Sequence, residues 1–538
     1  MTKKSNWSEL RSLPPEKMSL AKLALAEVRE GKSVEGAMRD NPWKSAPLNK
    51  SALVAAYHDL VETGEWDPDE DLLKSIRLKP VRTLSGVTTV TVLTKPYPCP
   101  GKCIFCPSDA RMPKSYLPDE PGAMRAVENA FDPFRQVASR LEALASVGHP
   151  TDKIELLVLG GTFSSYRRDY QEWFIKRCFE AMNQPDPALS GAEESQETLT
   201  QLQSINETTA HRNVGLSVET RPDEITPEEL AWFRHLGITK VQIGAQSLDD
   251  QILELNQRGH TVEDLHRAVA LLRGAGFKIV LHWMPNLLGA TPESDRVDFQ
   301  RLWDGLCPDE IKIYPTQLLE NSELYETWKA GRYQPYSTDS LIQLIADVKP
   351  SIPRYCRVNR IIRDIPSTHV IAGNKRTSLR QDVQAELNRR GTHCSCIRCR
   401  EIRGSTMKSG SMKLDDLMYP AEGSEEHFIS FITPEDKIAG FLRLTLPENN
   451  QFPPGLNDLK GAAIIREIHV YGQSLAVGQE KDGAAQHAGL GTRLLAEADA
   501  IAKTKGFHRM AVISAIGTRQ YYLERGFERG DLYLIKNL

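Results

Sequence analysis

The sequence predicts an α/β protein in which a partial (β/α) barrel is followed by a smaller α+β domain. Between about residues 81 and 350, short apolar runs typical of strands alternate with amphipathic segments typical of helices. Such repeated βα units indicate a parallel sheet that closes into a partial or full barrel. From about residue 412, strand-like runs follow one another directly and then give way to a glycine-bounded helix, which favours an antiparallel sheet.

The composition is typical of a globular protein. The 538 residues, 40% hydrophobic and 26% charged, suffice for two to four domains with a substantial core. No apolar run approaches the roughly 20 residues of a membrane helix, and the first residues lack a secretory signal. We therefore expect a cytoplasmic protein without membrane contact. Six of the nine cysteines lie in two tight clusters, which indicates metal ligation rather than disulfide bonds.

Four regions are expected along the chain. Residues 1–80 are predicted to be a small helical region, because apolar residues recur at helical spacing around 20–28 and 53–61. The barrel is expected at 81–365, a basic cysteine-rich linker at 366–411 and the α+β domain at 412–538. Within the barrel, the polar and weakly periodic stretch 184–210 is expected to be a surface insertion, and we assign it no function.

Six strand-like runs make up the predicted barrel sheet: residues 87–93, 154–159, 214–218, 240–243, 278–282 and 311–314. In a parallel barrel the active site lies at the carboxyl ends of the strands. Four distinctive groups end or follow these runs: the first cysteine cluster, Gly160-Gly161-Thr162, Glu219 and Gln246. They predict a functional rim at that end of the barrel.

The first cluster, Cys99, Cys103 and Cys106, has the spacing C-x3-C-x2-C. Three thiolates can hold three irons of a [4Fe–4S] cluster and leave the fourth iron open. An open iron can bind S-adenosylmethionine through its amino and carboxylate groups and cleave it reductively. Zinc is the alternative, but it normally takes four ligands, and no fourth Cys or His lies nearby. We favour the iron–sulfur cluster.

The second cluster, Cys394, Cys396 and Cys399, lies in a strongly basic segment. Residues 354–413 contain 14 Lys and Arg against 4 Asp and Glu, which suits a phosphate backbone. The three cysteines predict a structural zinc site. We prefer His369 as the fourth ligand, because His393 is adjacent to the first cysteine and fits tetrahedral geometry poorly. The alternative is three unmetalled thiols, which would be liable to oxidation.

The C-terminal region contains a candidate phosphate-binding loop. Strand-like runs at 428–432, 439–446 and 463–470 precede a predicted helix at 492–505, and a strand (510–513) and a second helix (518–524) follow. The loop is Gln486, His487, Ala488, Gly489, Leu490, Gly491 and Thr492. Glycines at a helix N-terminus let backbone N–H groups approach a pyrophosphate. A glycine-rich turn without a ligand is the alternative.

This region resembles the GNAT acetyltransferases, which bind acetyl-CoA at such a loop. The resemblance implies that Glu467, Ile468, His469 and Val470, at the end of the preceding strand, also face the cofactor. It further implies a tyrosine near the CoA sulfur, where a phenol could protonate or hydrogen-bond a departing thiolate. Tyr521 and Tyr522 are the candidates; either could be a core residue, and helical periodicity should bury only one.

The front half resembles the radical S-adenosylmethionine superfamily. The resemblance implies that Gly160, Gly161 and Thr162 bind the methionine amino group. It places Glu219 near the ribose or amino group, and Gln246 and Ser247 near the adenosyl moiety. A salt bridge from Glu219 to Arg221 is an equally weighted alternative.

The whole chain resembles the catalytic subunit of Elongator and its stand-alone prokaryotic homologues. The resemblance covers nearly all of residues 75–538 and includes these stretches: 79–87, 94–97, 121–126, 160–163, 219–223, 242–247, 256–261, 363–366, 486–491 and 517–526. Residues 1–75 match less clearly, and 184–210 departs from the pattern.

The resemblance implies an enzyme that forms 5-carboxymethyluridine at the wobble position of tRNA. A 5′-deoxyadenosyl radical would remove hydrogen from the methyl group of acetyl-CoA, the carbon radical would add to C5 of uridine, and thioester hydrolysis would leave the carboxylate. We expect a [4Fe–4S] cluster, S-adenosylmethionine, acetyl-CoA, zinc and an electron donor. Residues 1–80, Lys240, Lys312 and the basic segment are candidates for holding the anticodon arm, and Lys240 is also a catalytic candidate. A homodimer or Elongator-like partner subunits remain open.

Two other functions compete with this one. A protein lysine acetyltransferase with a merely structural iron–sulfur domain would need an acidic base, for which Glu467 is the nearby strand carboxylate. A non-catalytic tRNA-binding scaffold would need neither set of ligands. Transfer of label to protein would favour the first, and binding of tRNA without cleavage of S-adenosylmethionine would favour the second.

Overall fold

The computed structural model of the chain describes residues 13–83, 85–185, 195–402, 412–448, 452–471 and 489–538. Four helices form the N-terminal region: α1 (Pro15–Arg29), α2 (Val34–Asp40), α3 (Lys50–Glu62) and α4 (Glu70–Ile76). The last three begin at Ser33, Asn49 and Asp69, whose side chains accept hydrogen bonds from the first-turn N–H groups. Their apolar faces enclose a core of their own.

Seven strands form the parallel barrel sheet in the order β1-β2-β3-β4-β5-β6-β8. They are β1 (Thr88–Leu93), β2 (Lys153–Leu159), β3 (Arg212–Thr220), β4 (Lys240–Gln246), β5 (Lys278–Trp283), β6 (Glu310–Ile313) and β8 (Arg357–Ile361). The six predicted runs are all present, and β8 is one strand that the sequence pattern did not predict. The open sheet order confirms a partial barrel, since β1 and β8 are edges.

Helices cover the outer face of this sheet. They are α6 (Pro133–Ala145), α7 (Arg168–Asn183), α8 (Leu199–Asn206), α9 (Pro227–His235), α11 (Val262–Gly274), α12 (Pro292–Arg301) and α14 (Thr338–Val348). Three other helices lie elsewhere: α5 (Pro121–Glu128) lines the interior beside β1, and α10 (Asp250–Leu255) and α13 (Leu324–Lys329) pack beside the cysteine loop. Outward side chains of the strands and inward side chains of the helices make one core, which includes Phe174, Phe233 and Trp283. The opposite side chains of the strands face the barrel interior.

The 184–210 stretch is more than the surface insertion we expected. Residues 186–194 lie outside the described ranges, but α8 follows them and buries Leu199 and Leu202. Glu207, directly after α8, is buried and accepts hydrogen bonds from Gln520 at 2.8 Å and from Arg529 at 2.6 and 2.8 Å. This segment therefore ties the barrel to the C-terminal region.

The linker carries a two-stranded pairing of β7 (Leu318–Leu319) with β9 (Val370–Ala372), then α15 (Leu379–Arg389) and α16 (Ile397–Arg400). Its basic character is offset only in part. Carboxylates from outside the segment 354–413 pair with four of its arginines: Asp436 with Arg354 and Arg400, Glu120 with Arg363, and Asp347 with Arg390. The other ion pairs use the segment's own acidic residues, so most of the excess positive charge remains.

The C-terminal sheet is mixed. Its elements are β10 (Lys413–Ala421), β11 (Ser424–Ile432), β12 (Ile438–Pro447), β13 (Ala462–Val470), α17 (Leu490–Thr504), β14 (Arg509–Val512), α18 (Arg519–Leu523), β15 (Glu528–Arg529) and β16 (Leu534–Asn537). Strands β10 to β13 are antiparallel neighbours; β11, β12 and β13 match the predicted runs, whereas β10 was not predicted. Strands β13 and β14 are parallel across α17. The α17 helix packs its apolar face on this sheet.

The N-terminal end of the barrel lies against this second sheet through buried charges. Asp309, at the start of β6, accepts hydrogen bonds from both terminal nitrogens of Arg466 on β13, at 2.6 and 2.8 Å. Arg466 also contacts Glu426 on β11 at 2.7 Å. The side chains of all three residues are 0% exposed.

No helix in the described part of the chain is long and apolar enough to cross a bilayer.

Candidate active site

One cavity of about 1860 Å³ connects the predicted rim with the C-terminal domain. Cys99, Cys103 and Cys106 line it at the carboxyl ends of the strands. Glu467 and Tyr521 line it at the other end. Residues of both predicted cofactor sites therefore line one continuous cavity, with the barrel interior between them.

The first cysteine cluster lies in the loop after β1, and all three side chains are half-buried. Cys99 Sγ lies 3.5 Å from Thr162 Oγ1, and Arg258 Nη1 lies 3.6 Å from Cys103 Sγ. Burial, with a smaller effect from Cys103, raises the pKa of Cys106 to about 11. Since metal ligation deprotonates thiols, a bound metal cluster would reverse that preference.

The wall beside these thiols has the features of a cofactor-binding surface. Gly160 and Gly161 adopt φ values of +149° and +89°, and a Cβ at Gly160 would collide with Thr94. Gln246 has φ +69°, and its Oε1 atom is buried without a partner among the described residues. Arg221 Nη1 is likewise buried and unpaired there. A ligand carrying an amino and a carboxylate group fits this acceptor and this donor.

Glu219 faces the cavity near the end of β3 but does not pair with Arg221, so that alternative is wrong. Its carboxylate accepts a hydrogen bond from Tyr116 at 2.7 Å and lies 3.5 Å from Lys312 Nζ. Arg221 pairs with Asp223 at 2.7 Å instead. Lys312 is therefore buried in the barrel, not available to the anticodon arm on an outer face.

Ser247 lies away from the cavity, contrary to its predicted place beside the adenosyl group. Its hydroxyl donates to Asp298 Oδ1 at 3.1 Å, behind the strand end. The chain turns away from the strand direction at Gln246, which has a left-handed φ of +69°, and only Gln246 of the two residues lines the cavity.

Lys240 lies at the start of β4, on the floor of the barrel rather than on its rim. It forms ion pairs with Glu155 and, at 3.6 Å, with Glu310. Burial lowers the pKa of Lys240, but the two carboxylates more than compensate and raise it overall. Lys240 is therefore a fixed buried cation, and its predicted role on a tRNA-binding face is not supported.

Glu467 is also held in ion pairs. Its oxygens lie 2.5 Å from Lys278 Nζ and 2.9 Å from Arg443 Nε. Although burial alone would raise its pKa, these cations lower it, so Glu467 is a poor general base. This weakens the lysine acetyltransferase alternative, which needed that carboxylate free.

The other residues near the predicted CoA site are only partly described. Ile468, His469 and Val470 line the cavity, as do Gly489, Gly491 and Thr492. Leu490 is buried as the first residue of α17. Gln486, His487 and Ala488 lie outside the described residues. Gly489 has φ +64°, so the loop reaches the helix in a left-handed conformation.

The two tyrosines differ as helical periodicity predicts. Tyr522 is 4% exposed and packs edge-on against Phe527, and only a small part of it reaches the cavity wall. Tyr521 is half-buried, and a Cβ at Gly491 would collide with its hydroxyl. The phenol of Tyr521 thus lies against the start of α17, where the loop meets the helix.

The second cysteine cluster is a compact thiol group. The sulfurs of Cys394, Cys396 and Cys399 all lie within 4.8 Å of one another. Hydrogen bonds from Cys394 and Cys399 lower the pKa of Cys396, which favours one thiolate even without metal. His369 is not part of this group: its Nε2 is hydrogen-bonded to Asp119. The expectation that His369 completes the site is wrong.

Three cavity residues were missed from the sequence. Tyr116 and His282 carry no motif that would have singled them out. Burial, together with nearby cations of which Lys312 comes first, lowers the pKa of His282 well below its usual range, so this imidazole is neutral. Arg258 lies in the stretch 256–261, whose resemblance to the Elongator pattern gave it no role.

Comparison with known proteins agrees with this geometry. Family models match the radical SAM superfamily at residues 97–300, the radical SAM C-terminal domain at 308–389 and the acetyltransferase (GNAT) family at 398–527. A tRNA uridine(34) acetyltransferase of Dehalococcoides mccartyi is 44% identical over 85% of this chain and 99% of its own length. Elongator complex protein 3 of Danio rerio is 35% identical over 87% of this chain and 87% of its own.

The chain belongs to the Elongator complex protein 3 family. A solved structure of that family, Elp3 of the archaeon Methanocaldococcus infernus with residues 1–46 deleted, matches with a TM-score of 0.73 and 36% identity, over 84% of this chain and 100% of that one. The predicted order of a radical SAM partial barrel and a GNAT domain is confirmed.

Proposed function

We propose that this member of the Elongator complex protein 3 family modifies the wobble uridine of tRNA at C5, with acetyl-CoA and S-adenosylmethionine as co-substrates, to give 5-carboxymethyluridine. The observation that carries the proposal is the single cavity lined by the cysteine triad and by the GNAT loop. Relatives named tRNA uridine(34) acetyltransferase support the substrate. A base would have to leave its stack to enter the cavity.

Cys99, Cys103 and Cys106 would hold a [4Fe–4S] cluster, which supplies the electron that cleaves S-adenosylmethionine. Gln246 Oε1 would accept a hydrogen bond from the amino group of that co-substrate, and Arg221 Nη1 would donate to its carboxylate, because both atoms are buried and otherwise unpaired. Glu219, already oriented by Tyr116, would accept from a ribose hydroxyl.

On the opposite side, Gly489 and Gly491 let backbone N–H groups at the start of α17 approach the CoA pyrophosphate. Burial raises the pKa of Tyr521, so its phenol remains protonated at neutral pH. The phenol would donate a hydrogen bond to the CoA sulfur as it leaves with the bonding electron pair during thioester hydrolysis.

Replacing Tyr521 with phenylalanine is expected to slow CoA release. A general acid contributes at least about 10²-fold to such a step, so kcat should fall by about that factor with little change in KM for acetyl-CoA. Free thiol released per minute, measured in the presence of tRNA, reports this rate.

Tyr522→Phe is the matched control. Its ring lies in the core, so the variant should keep the rate of thiol release within about threefold of the wild type. An equal loss in the rate of thiol release in the two variants would show that the loss comes from disturbing α18 and not from removing the Tyr521 hydroxyl.

The second cysteine cluster is proposed to bind zinc. We expect about one zinc per chain in the wild type and none in Cys396→Ala, because removing one of three thiolates weakens the site strongly. Metal analysis by mass spectrometry should show that Cys396→Ala keeps its iron while Cys103→Ala keeps its zinc. Parallel loss of both metals in both variants would mean that the two sites are not separate.

The overall function is tested anaerobically with the full chain, a reconstituted cluster, dithionite, S-adenosylmethionine, unmodified tRNA and acetyl-CoA labelled in the methyl group. Digestion and mass spectrometry should find label in 5-carboxymethyluridine. Appearance of 5′-deoxyadenosine without labelled nucleoside would refute the substrate but keep the radical chemistry. Label on lysine instead would favour the acetyltransferase alternative.

A further inference from the structure

Arg258 occupies an unusual position next to the first cysteine cluster. It lies in the loop between α10 and α11 and is only 5% exposed. One terminal nitrogen lies 3.6 Å from Cys103 Sγ, and the other donates to the carbonyl of Gly244, near the end of β4, at 2.8 Å. Its Nε is buried without a partner among the described residues.

The charge of this guanidinium has no carboxylate partner in the described part of the chain. Neighbouring arginines of the same cavity do have one: Arg221 pairs with Asp223 and Arg363 with Glu120. A buried cation without an anion is costly, and such groups are normally paired. Among the described residues, the group in contact with Arg258 that can become an anion is the Cys103 sulfur, as a thiolate.

The loop is held so that this contact persists. The N–H of Ile104, next to Cys103, donates to the carbonyl of Asn256 at 3.2 Å. Asn256 in turn donates to the carbonyl of Leu288 at 2.9 Å. Gln257 and Gly259, on either side of Arg258, have φ values of +52° and +77°. These backbone constraints tie the arginine loop directly to the cysteine loop.

His260 does not compete for the same anion. Burial, together with Arg258 and Arg221, lowers its pKa to about 3, so the imidazole is neutral at physiological pH. The cation beside Cys103 is therefore Arg258.

We propose that Arg258 is a positioning residue that sets the reduction potential of the cluster by holding a positive charge and an N–H donor against the Cys103 sulfur. The proposal rests on the cluster assigned under the proposed function. One-electron reduction by an external donor adds one negative charge to the cluster and forms no bond. A fixed cation, and a hydrogen bond to a ligating sulfur, stabilise the reduced state and raise the potential.

The test is a redox titration of the reconstituted full chain, monitored by electron paramagnetic resonance, without S-adenosylmethionine and without tRNA. Arg258→Met removes the charge and every N–H donor. Arg258→Gln also removes the charge and ends too short to reach the Cys103 sulfur, but it keeps a polar N–H group in the loop. Arg258→Lys keeps the charge. We expect the midpoint potential of Arg258→Met to fall by about 59 mV or more, a tenfold loss in the reduction equilibrium. The midpoint potential of Arg258→Gln should fall less, and that of Arg258→Lys should fall least.

Arg267→Met is the matched control, because Arg267 is exposed on α11 and pairs with Asp264 at 2.8 Å. Its potential should equal that of the wild type. An unchanged potential in iron-replete Arg258→Met, or an equal shift in Arg267→Met, would overturn the proposal. So would a shift seen only with S-adenosylmethionine present, which would assign Arg258 to that ligand.

The proposal would also be overturned if Arg258→Met and Arg258→Gln both failed to take up iron while Arg267→Met took it up. That outcome would indicate a role of Arg258 in cluster assembly. The titration needs no tRNA product. A wrong RNA substrate would therefore leave the shift intact, and an unchanged potential would leave the RNA chemistry intact.

Discussion

Replacing Cys103 with alanine is expected to abolish both 5′-deoxyadenosine and 5-carboxymethyluridine. Cys103 lies between the other two cysteines of the triad and is in contact with Arg258. With two thiolates left, the cluster would be bound too weakly to persist, so no electron could reach S-adenosylmethionine. Activity should fall below detection, by more than about a thousandfold, as measured by mass spectrometry of nucleosides and by iron content.

Cys178→Ala is the matched control for this substitution. Cys178 is 0% exposed and belongs to the outer core of the barrel, away from the cavity. The variant should retain iron and activity, at the cost of a small loss in stability. Product formation by Cys103→Ala at a rate near that of the wild type would exclude the radical mechanism for this chain.

The rim of the barrel was predictable because it depends on local sequence. Period and polarity located six of the seven strands of the barrel sheet, and parallel strands place their carboxyl ends on one edge. The cysteine loop, Gly161, Glu219 and Gln246 were each assigned to a strand end, and the structure brings them into one cavity. Ser247 was placed wrongly, because the sequence does not show at which residue the strand turns away.

Contacts between distant segments were not predictable. Tyr116 orients Glu219 across 103 residues of sequence, and Glu207 contacts Arg529 across 322. The charge excess of 354–413 was read as a surface, but ion pairs with residues such as Glu120 and Asp436 offset part of it. His369 failed as a ligand for the same reason: it was preferred over His393 on local geometry, but the fold places it against Asp119, 250 residues away in sequence.

Removing one of the buried charges between the barrel and the GNAT sheet is expected to lower the free energy of unfolding strongly. Asp309 accepts two hydrogen bonds from Arg466 and a third from the N–H of Ile279 at 2.8 Å. Arg443 Nη1 lies 3.3 Å from the same carboxylate. Removing one charge of such a set leaves the other buried and uncompensated, which costs more than the pair contributes.

Asp309→Asn is therefore expected to lower the free energy of unfolding by about 3–5 kcal/mol. Asn keeps the size of the side chain but loses the negative charge that compensates Arg466. Urea-induced unfolding followed by tryptophan fluorescence measures the loss. Asp40→Asn is the control, because Asp40 pairs with Lys32 at 2.9 Å on the surface, and its loss should leave the free energy of unfolding nearly unchanged.

The pH dependence of the free energy of unfolding distinguishes the effect of the lost Asp309 charge from an effect of altered packing. Burial alone would raise the pKa of Asp309, but Arg466 and Arg443 lower it below the usual range. A carboxyl whose pKa is depressed on folding stabilises the protein fully above its unfolded pKa of about 3.9, and loses this contribution as the pH falls through the folded value. The difference between wild type and Asp309→Asn should thus stay constant from about pH 8 to pH 5. A difference that declines within that window would mean that Asp309 is already protonated there, and that its charge does not hold the two sheets together.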